Sequence, residues 1–208
     1  MPFIEYNKKK VLFVHIPKTG GSSTERWLES IAKLRCKTSE IPAFIKCTPQ
    51  HLTLSELQEL FGESYFDYTF SIVRHPYTRL ESEYRWRFFT RQTALSFSAW
   101  STAALETYRS NSWYYDNHFR PQVEFLGTPI RLYRFEDGLQ QILQTVSAET
   151  GIPSPQIVPR EKWAGGSNPQ LIWTPELRLA VHEIYRQDFI DLHYDPWMNE
   201  NMEIKIRE

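Results

Sequence analysis

The sequence predicts an α/β fold: a single domain over residues 1–208 with a mainly parallel central sheet flanked by helices. Three observations predict it. Strand-like runs recur at Val11–His15, Tyr68–Val73 and Ile130–Tyr133, the first two apolar enough to be buried on both faces. A segment of helical periodicity follows each run, the pattern of parallel strands joined by crossover helices. No repeat, low-complexity tract or Pro/Gly/Ser-rich linker divides the 208 residues, a length that suits one domain.

The elements follow in order. Val11–His15 ends at Ile16-Pro-Lys-Thr-Gly-Gly21, and a helix fits Ser22 to Leu34, with Trp27, Leu28, Ile31 and Ala32 on one face. An irregular stretch runs to Gln50. Thr53-Leu-Ser-Glu56 reads as a capping box that opens a helix to Phe61. The second strand, Tyr68–Val73, stops at Arg74-His-Pro76; helices are expected from Arg79 to Arg91 and from Ser96 to Tyr108. After the third strand, Asp137 is expected to cap a helix that stops near Gly151. Thr174-Pro175 supplies an N-cap and a proline at the first helical position, and the last helix runs to Phe189.

Composition excludes several classes of function. With 24 Lys+Arg against 25 Asp+Glu the net charge is −1, so the strongly basic footprint of a nucleic-acid-coating protein is missing and no nucleic-acid partner is expected. The run Val11–Ile16 is too short for a membrane span or the apolar core of a signal peptide, so no membrane segment and a cytoplasmic location are expected. Cys36 and Cys47 form neither a CxxC pair nor part of a Cys/His zinc cluster and read as reduced thiols. Glycine is scarce, at eight residues, so each glycine marks a place where a side chain is expected not to fit.

Two segments carry chemistry. In Pro17-Lys-Thr-Gly-Gly-Ser-Ser23, a Gly-Gly turn between a strand and a helix lets backbone N–H groups approach an anion, and the helix N-terminus adds its dipole. Lys18 adds a positive charge, and Ser22, Ser23 and Thr24 add hydroxyl donors. A Walker A loop places its lysine after the glycines. Here Lys18 precedes them, which disfavours ATP or GTP hydrolysis. The bland alternative is a tight strand–helix turn with no ligand. In the second segment, Arg74 leaves a strand end beside a Pro turn and Ser82 lies on the next helix, a guanidinium and a hydroxyl suited to clamp a terminal phosphate. Between Arg74 and Arg91 there are five Arg and two Glu, a local balance of +3; for Arg85, Arg87 and Arg91 a solvated basic helix is the simpler reading.

Together, Phe13-Val-His-Ile-Pro-Lys-Thr-Gly-Gly-Ser-Ser23 and Ile72-Val-Arg-His-Pro-Tyr-Thr-Arg-Leu-Glu-Ser-Glu-Tyr84 resemble the sulfotransferases that use 3′-phosphoadenosine 5′-phosphosulfate (PAPS), most nearly their carbohydrate O-sulfotransferase branch. Leu132–Asp137 and Ile184–Phe189 with His193-Tyr-Asp195 extend the resemblance over nearly the whole chain. It implies a P-loop-like sulfotransferase fold with PAPS as co-substrate, no divalent metal, and a small-molecule or glycan hydroxyl as acceptor. Lys18 would stabilise the leaving phosphate. Thr19, Gly20, Gly21, Ser22 and Ser23 would cradle the 5′-phosphate, and Arg74 and Ser82 would hold the 3′-phosphate. Trp163–Asn168 matches a loop that folds over the nucleotide, with Lys162 and Gly165-Gly166 as candidate contacts, although its wording departs from the family's.

The acceptor hydroxyl needs a proton acceptor near neutral pH, for which histidine is suited. His15 reads as a buried core residue and His75 as part of its turn. His51, just before the capped helix, resembles the position of the base in the glycan O-sulfotransferases. His118, in Asp116–Gln122 with Arg120, is similar to a family segment near the acceptor cleft and is the other candidate. Trp113-Tyr-Tyr115 is a candidate acceptor wall, with core packing as its alternative. Competing functions are a P-loop-type nucleotide kinase or NTPase and a non-catalytic nucleotide-binding module.

Overall fold

A computed structural model describes residues 2–38, 40–158 and 168–196. Strand β1 (Phe3–Tyr6) turns at Asn7-Lys8 into β2 (Lys9–Val14), and both turn residues have positive φ, 48° and 64°. Two left-handed residues suit the twist of a two-residue hairpin, so the strands pair antiparallel with Ile4 opposite Val11. Helices α1 (Gly21–Ile31) and α2 (Leu54–Phe61) precede β3 (Tyr68–Val73), which α3 (Pro76–Phe89) and α4 (Phe97–Ser110) follow. Then come β4 (Arg131–Arg134), α5 (Leu139–Thr150), α6 (Pro175–Ile184) and α7 (Arg186–Asp191). The strand order is β1-β2-β3-β4, with β2, β3 and β4 mutually parallel in the registers Phe13↔Phe70 and Ile72↔Tyr133.

The period of two divides the strand residues between two cores. Val11, Phe13, Phe70 and Ile72 face Trp27 and Leu28 of α1 and Leu143 and Val146 of α5. Leu12, Val14 and Val73 face the other way, towards Leu80 and Tyr84 of α3, Leu105 of α4 and Val181 of α6. The sheet is therefore the α/β sandwich that the alternation predicts. The parallel strands share one C-terminal edge, and His15 and Arg74 both leave it.

Four local expectations change. β1 escapes notice in the sequence because it has four residues and joins a polar turn. α3 begins at Pro76, not Arg79: proline fits the first helical position, and His75 caps it by accepting from the Tyr77 N–H. Asp137 does not cap α5. It lies in a 3-10 turn, Phe135–Asp137, and Gly138 at φ 90° takes the N-cap position. The last helix breaks at Tyr185, where the chain reorients so that the Tyr185 hydroxyl donates to Phe119 O and buried Asp188 accepts from the Gln122 and Val123 N–H groups. The Thr53–Glu56 capping box forms as read. Cys36 and Cys47 are free thiols, and burial pushes Cys47 up to about 12. No described helix is long and apolar enough to cross a membrane.

Candidate functional site

A cavity of about 870 Å³ opens at the C-terminal edge of the sheet, where ligands bind in open parallel α/β folds. It is lined by Lys18, Gly20, Gly21, Ser22 and Ser23 from the β2–α1 loop, by Arg74 from the end of β3 and by Ser82 from α3. His15, Gln50, His51, His118, Trp86 and Phe89 line it as well.

The loop is shaped by two different demands on glycine. Gly20, at φ 92°, is the N-cap of α1, in a conformation that L side chains rarely adopt. Gly21 is required by its neighbour: a Cβ there would lie 1.8 Å from His15 Nε2. The imidazole of His15 therefore packs where a side chain would start, and Glu25 on α1 holds its Nδ1 at 2.5 Å. Lys18 takes φ 70°. The Thr19 hydroxyl donates to Ile16 O at 2.8 Å, so it braces the loop from inside and does not line the cavity.

Arg74 is fixed by both its backbone and its side chain. The Gln122 side chain accepts from the Arg74 N–H and donates to the Arg74 carbonyl, both at 2.8 Å, as a neighbouring strand would. Asp188 in turn accepts from Gln122 Nε2 at 3.2 Å. The guanidinium donates to Thr78 Oγ1 and Lys18 O and lies 4.5 Å over the Phe135 ring. Burial lowers Arg74 to about 10; desolvating a cation in this way favours an anionic ligand beside it.

Three imidazoles line the cavity. The ring centroids of His15 and His51 are 5.0 Å apart, as are those of His51 and His118. Each Nδ1 is held by a carboxylate. His51 donates to Asp116 at 2.7 Å and His118 to Glu83 at 2.8 Å, and His15 pairs with Glu25. Thr48 also donates to Asp116 through its backbone N–H and its hydroxyl. Tyr115, Asp116 and Asn117 all have positive φ, 50°, 57° and 66°. Such a run of non-glycine residues costs about 1–3 kcal/mol at each position. It aims Asp116 at His51, and Asn117 donates to the His51 carbonyl. Nδ1–H donation to a carboxylate fixes the tautomer and leaves Nε2 as the basic nitrogen. Burial lowers His51, with Asp116 opposing, and it lowers His118 to about 4, with Glu83 opposing.

Glu83 went unrecognised in the sequence, where it reads as one acid in a basic helix. It is buried on α3 and meets Arg87 Nε at 2.7 Å, His118 Nδ1 at 2.8 Å and Lys18 Nζ at 3.9 Å. Burial alone would raise its carboxyl; His118, Lys18 and Arg87 outweigh that and hold it far below the usual range. Its spacing of four from Arg79 and Arg87 on one helix was the available signal. Asp116 and Glu25 were likewise missed as partners of His51 and His15.

The sequence shows no Asp/Glu/His cluster, but the fold assembles one. Donor atoms of His51, Asp116 and His118 lie within 4.8 Å of one another. Hydrogen bonding accounts for the grouping, since both imidazoles already donate to carboxylates. Trp113 and Arg120 do not line the cavity: the guanidinium lies 4.7 Å over the Trp113 ring and donates to Asn117 and Glu124. Asn168 reaches the cavity wall, whereas Lys162 and the Gly165-Gly166 pair lie outside the described residues.

No curated protein and no solved structure matches the chain significantly. The family model described as Sulfotransferase family matches residues 2–195. That span takes in the glycine loop, the strand-end arginine and all three cavity imidazoles, and by it the chain belongs to the sulfotransferase family.

Proposed function

We propose that the protein moves a sulfuryl group from PAPS to an acceptor hydroxyl, with His51 as the base. The observation that carries this reading is the convergence of Lys18, Arg74 and His51 on one cavity from three separate segments. The residues on the nucleotide side fit a doubly phosphorylated nucleotide. The α1 N-terminus with Ser22 and Ser23 would hold the 5′-phosphate, Arg74 and Ser82 the 3′-phosphate, and Lys18 the charge that grows on the leaving phosphate. Sulfuryl transfer resembles phosphoryl transfer in depending on in-line positioning and charge stabilisation.

On the acceptor side, His51 Nε2 takes the hydroxyl proton, and Asp116 stabilises the imidazolium that forms. His118, whose ring centroid is 5.0 Å from that of His51, would contact the acceptor. Trp86 and Phe89 offer apolar surface suited to a sugar or another ring. The two free thiols suit the reducing cytoplasm.

Thermal shift and calorimetry test the donor. The product nucleotide, 3′-phosphoadenosine 5′-phosphate (PAP), is expected to stabilise the protein without magnesium, and ATP is not expected to do so even with magnesium. The reverse result favours a kinase or NTPase. Labelled PAPS offered with sugars, phenols and alkyl alcohols tests the transfer. PAP binding with no turnover on any acceptor favours a non-catalytic binding module.

A further inference from the structure

We propose that Glu83 is a positioning residue that couples the nucleotide side of the cavity to the imidazole on the acceptor side, an inference that rests on the donor reading above. One carboxylate oxygen makes the coupling. Oε1 of Glu83 is taken by Arg87 Nε at 2.7 Å. Oε2 is shared: His118 Nδ1 lies 2.8 Å from it and Lys18 Nζ 3.9 Å. Glu83 is 2% exposed, so little water screens the competition between the two.

Lys18 lines the cavity beside the glycine loop, where an anion would draw its ammonium away from Oε2. Oε2 then serves His118 alone. The Nδ1–H bond strengthens, and positive charge on the imidazole is better compensated. The charged and titratable groups facing His118 are Glu83, with Arg87 behind it, and Arg79, which donates to the His118 carbonyl, from α3; Lys18 from the β2–α1 loop; and His51 of the Pro49–His51 turn, which has Asp116 from another segment behind it. Lys18 and His51 oppose a proton on His118, and Glu83 favours it. Without nucleotide, burial and Lys18 hold the proton affinity of His118 down. With nucleotide bound His118 is the more basic, so it holds a proton better when the donor is in place. By linkage, a proton on His118 tightens nucleotide binding by the same factor.

The experiment is an NMR titration of the histidine rings in the full chain, with and without PAP, in the native protein and in Lys18→Met and Glu83→Gln. In the native protein PAP is expected to raise the His118 titration by about one pH unit, a tenfold change in proton affinity. Lys18→Met is expected to raise it by a similar amount with no nucleotide present. Glu83→Gln is expected to cut the PAP-induced rise by at least half and to populate the Nε2–H tautomer, a signature that a purely structural role would not give. A His118 titration that moves neither with PAP nor with Lys18→Met overturns the proposal. If Glu83→Gln does not fold, Lys18→Met still decides. If PAP fails to bind, the donor reading fails, while the ligand-free comparison of Lys18→Met with the native protein still tests the coupling through Oε2.

Discussion

Around the part of the cavity proposed for the nucleotide, the contacts run through backbone groups. Gly20 and Gly21 set the course of the chain, α1 starts there, and the Arg74 guanidinium donates to the Lys18 carbonyl across two adjacent parallel strands. Around the part proposed for the acceptor, the contacts run between side chains. His51 pairs with Asp116 65 positions away, and His118 with Glu83 35 positions away. The first arrangement tolerates changes that preserve backbone shape. The second depends on each member of an imidazole–carboxylate pair. Variants of the two sides should therefore fail differently, in nucleotide affinity on one side and in turnover on the other.

The largest effect is expected where the sides meet. Lys18→Met removes the cation at the leaving phosphate and should lower turnover by about 10³-fold, measured with labelled PAPS at saturating acceptor. Asp116→Asn comes next. It keeps the shape of the side chain but loses the negative charge beside His51, and kcat should fall about 10²-fold with PAP affinity little changed. A parallel loss of PAP affinity would break the division between the sides. Arg74→Lys belongs to the other side: a point charge replaces a planar fork, so calorimetry should show PAP binding about tenfold weaker.

The smallest effect is on stability against acid. The folded state lowers His118 to about 4, so between that pH and its unfolded value near 6.5 the unfolded chain binds the extra proton. Stability from this group is present above about 6.5 and is lost as pH falls towards 4. His51 is shifted in the same direction. Urea midpoints should fall across this window in the native protein and fall less in His118→Asn.

The same contrast explains what was legible in the sequence. The sheet, most helices and the glycine loop were readable because they rest on local patterns: apolar runs, a capping box, and a Gly-Gly turn after a strand. Gly21 was readable as special but not for its true reason, since the His15 ring that excludes a Cβ there is placed by the fold. Asp116 gave no local signal; its role depends on three consecutive left-handed residues and on a partner from another segment. Glu83 looked like a minor acid among arginines because sequence shows charge balance but not burial. Trp113 was a candidate through the aromatic cluster Trp113-Tyr-Tyr115 and Arg120 through the segment it shares with His118; the two stack on each other outside the cavity lining. The break at Tyr185 followed from the tertiary contacts of Tyr185 and Asp188, which no helix propensity encodes.

The most direct test of the central claim, that nucleotide capture and proton removal are carried by different residues of one cavity, is His51→Ala assayed for both properties in the same preparation. Turnover of labelled PAPS should fall at least about 10²-fold while PAP affinity stays within about twofold of the native value. Retained turnover, or a matching loss of PAP affinity, would contradict the account; loss of turnover in His118→Ala with His51→Ala still active would exchange the roles of the two imidazoles.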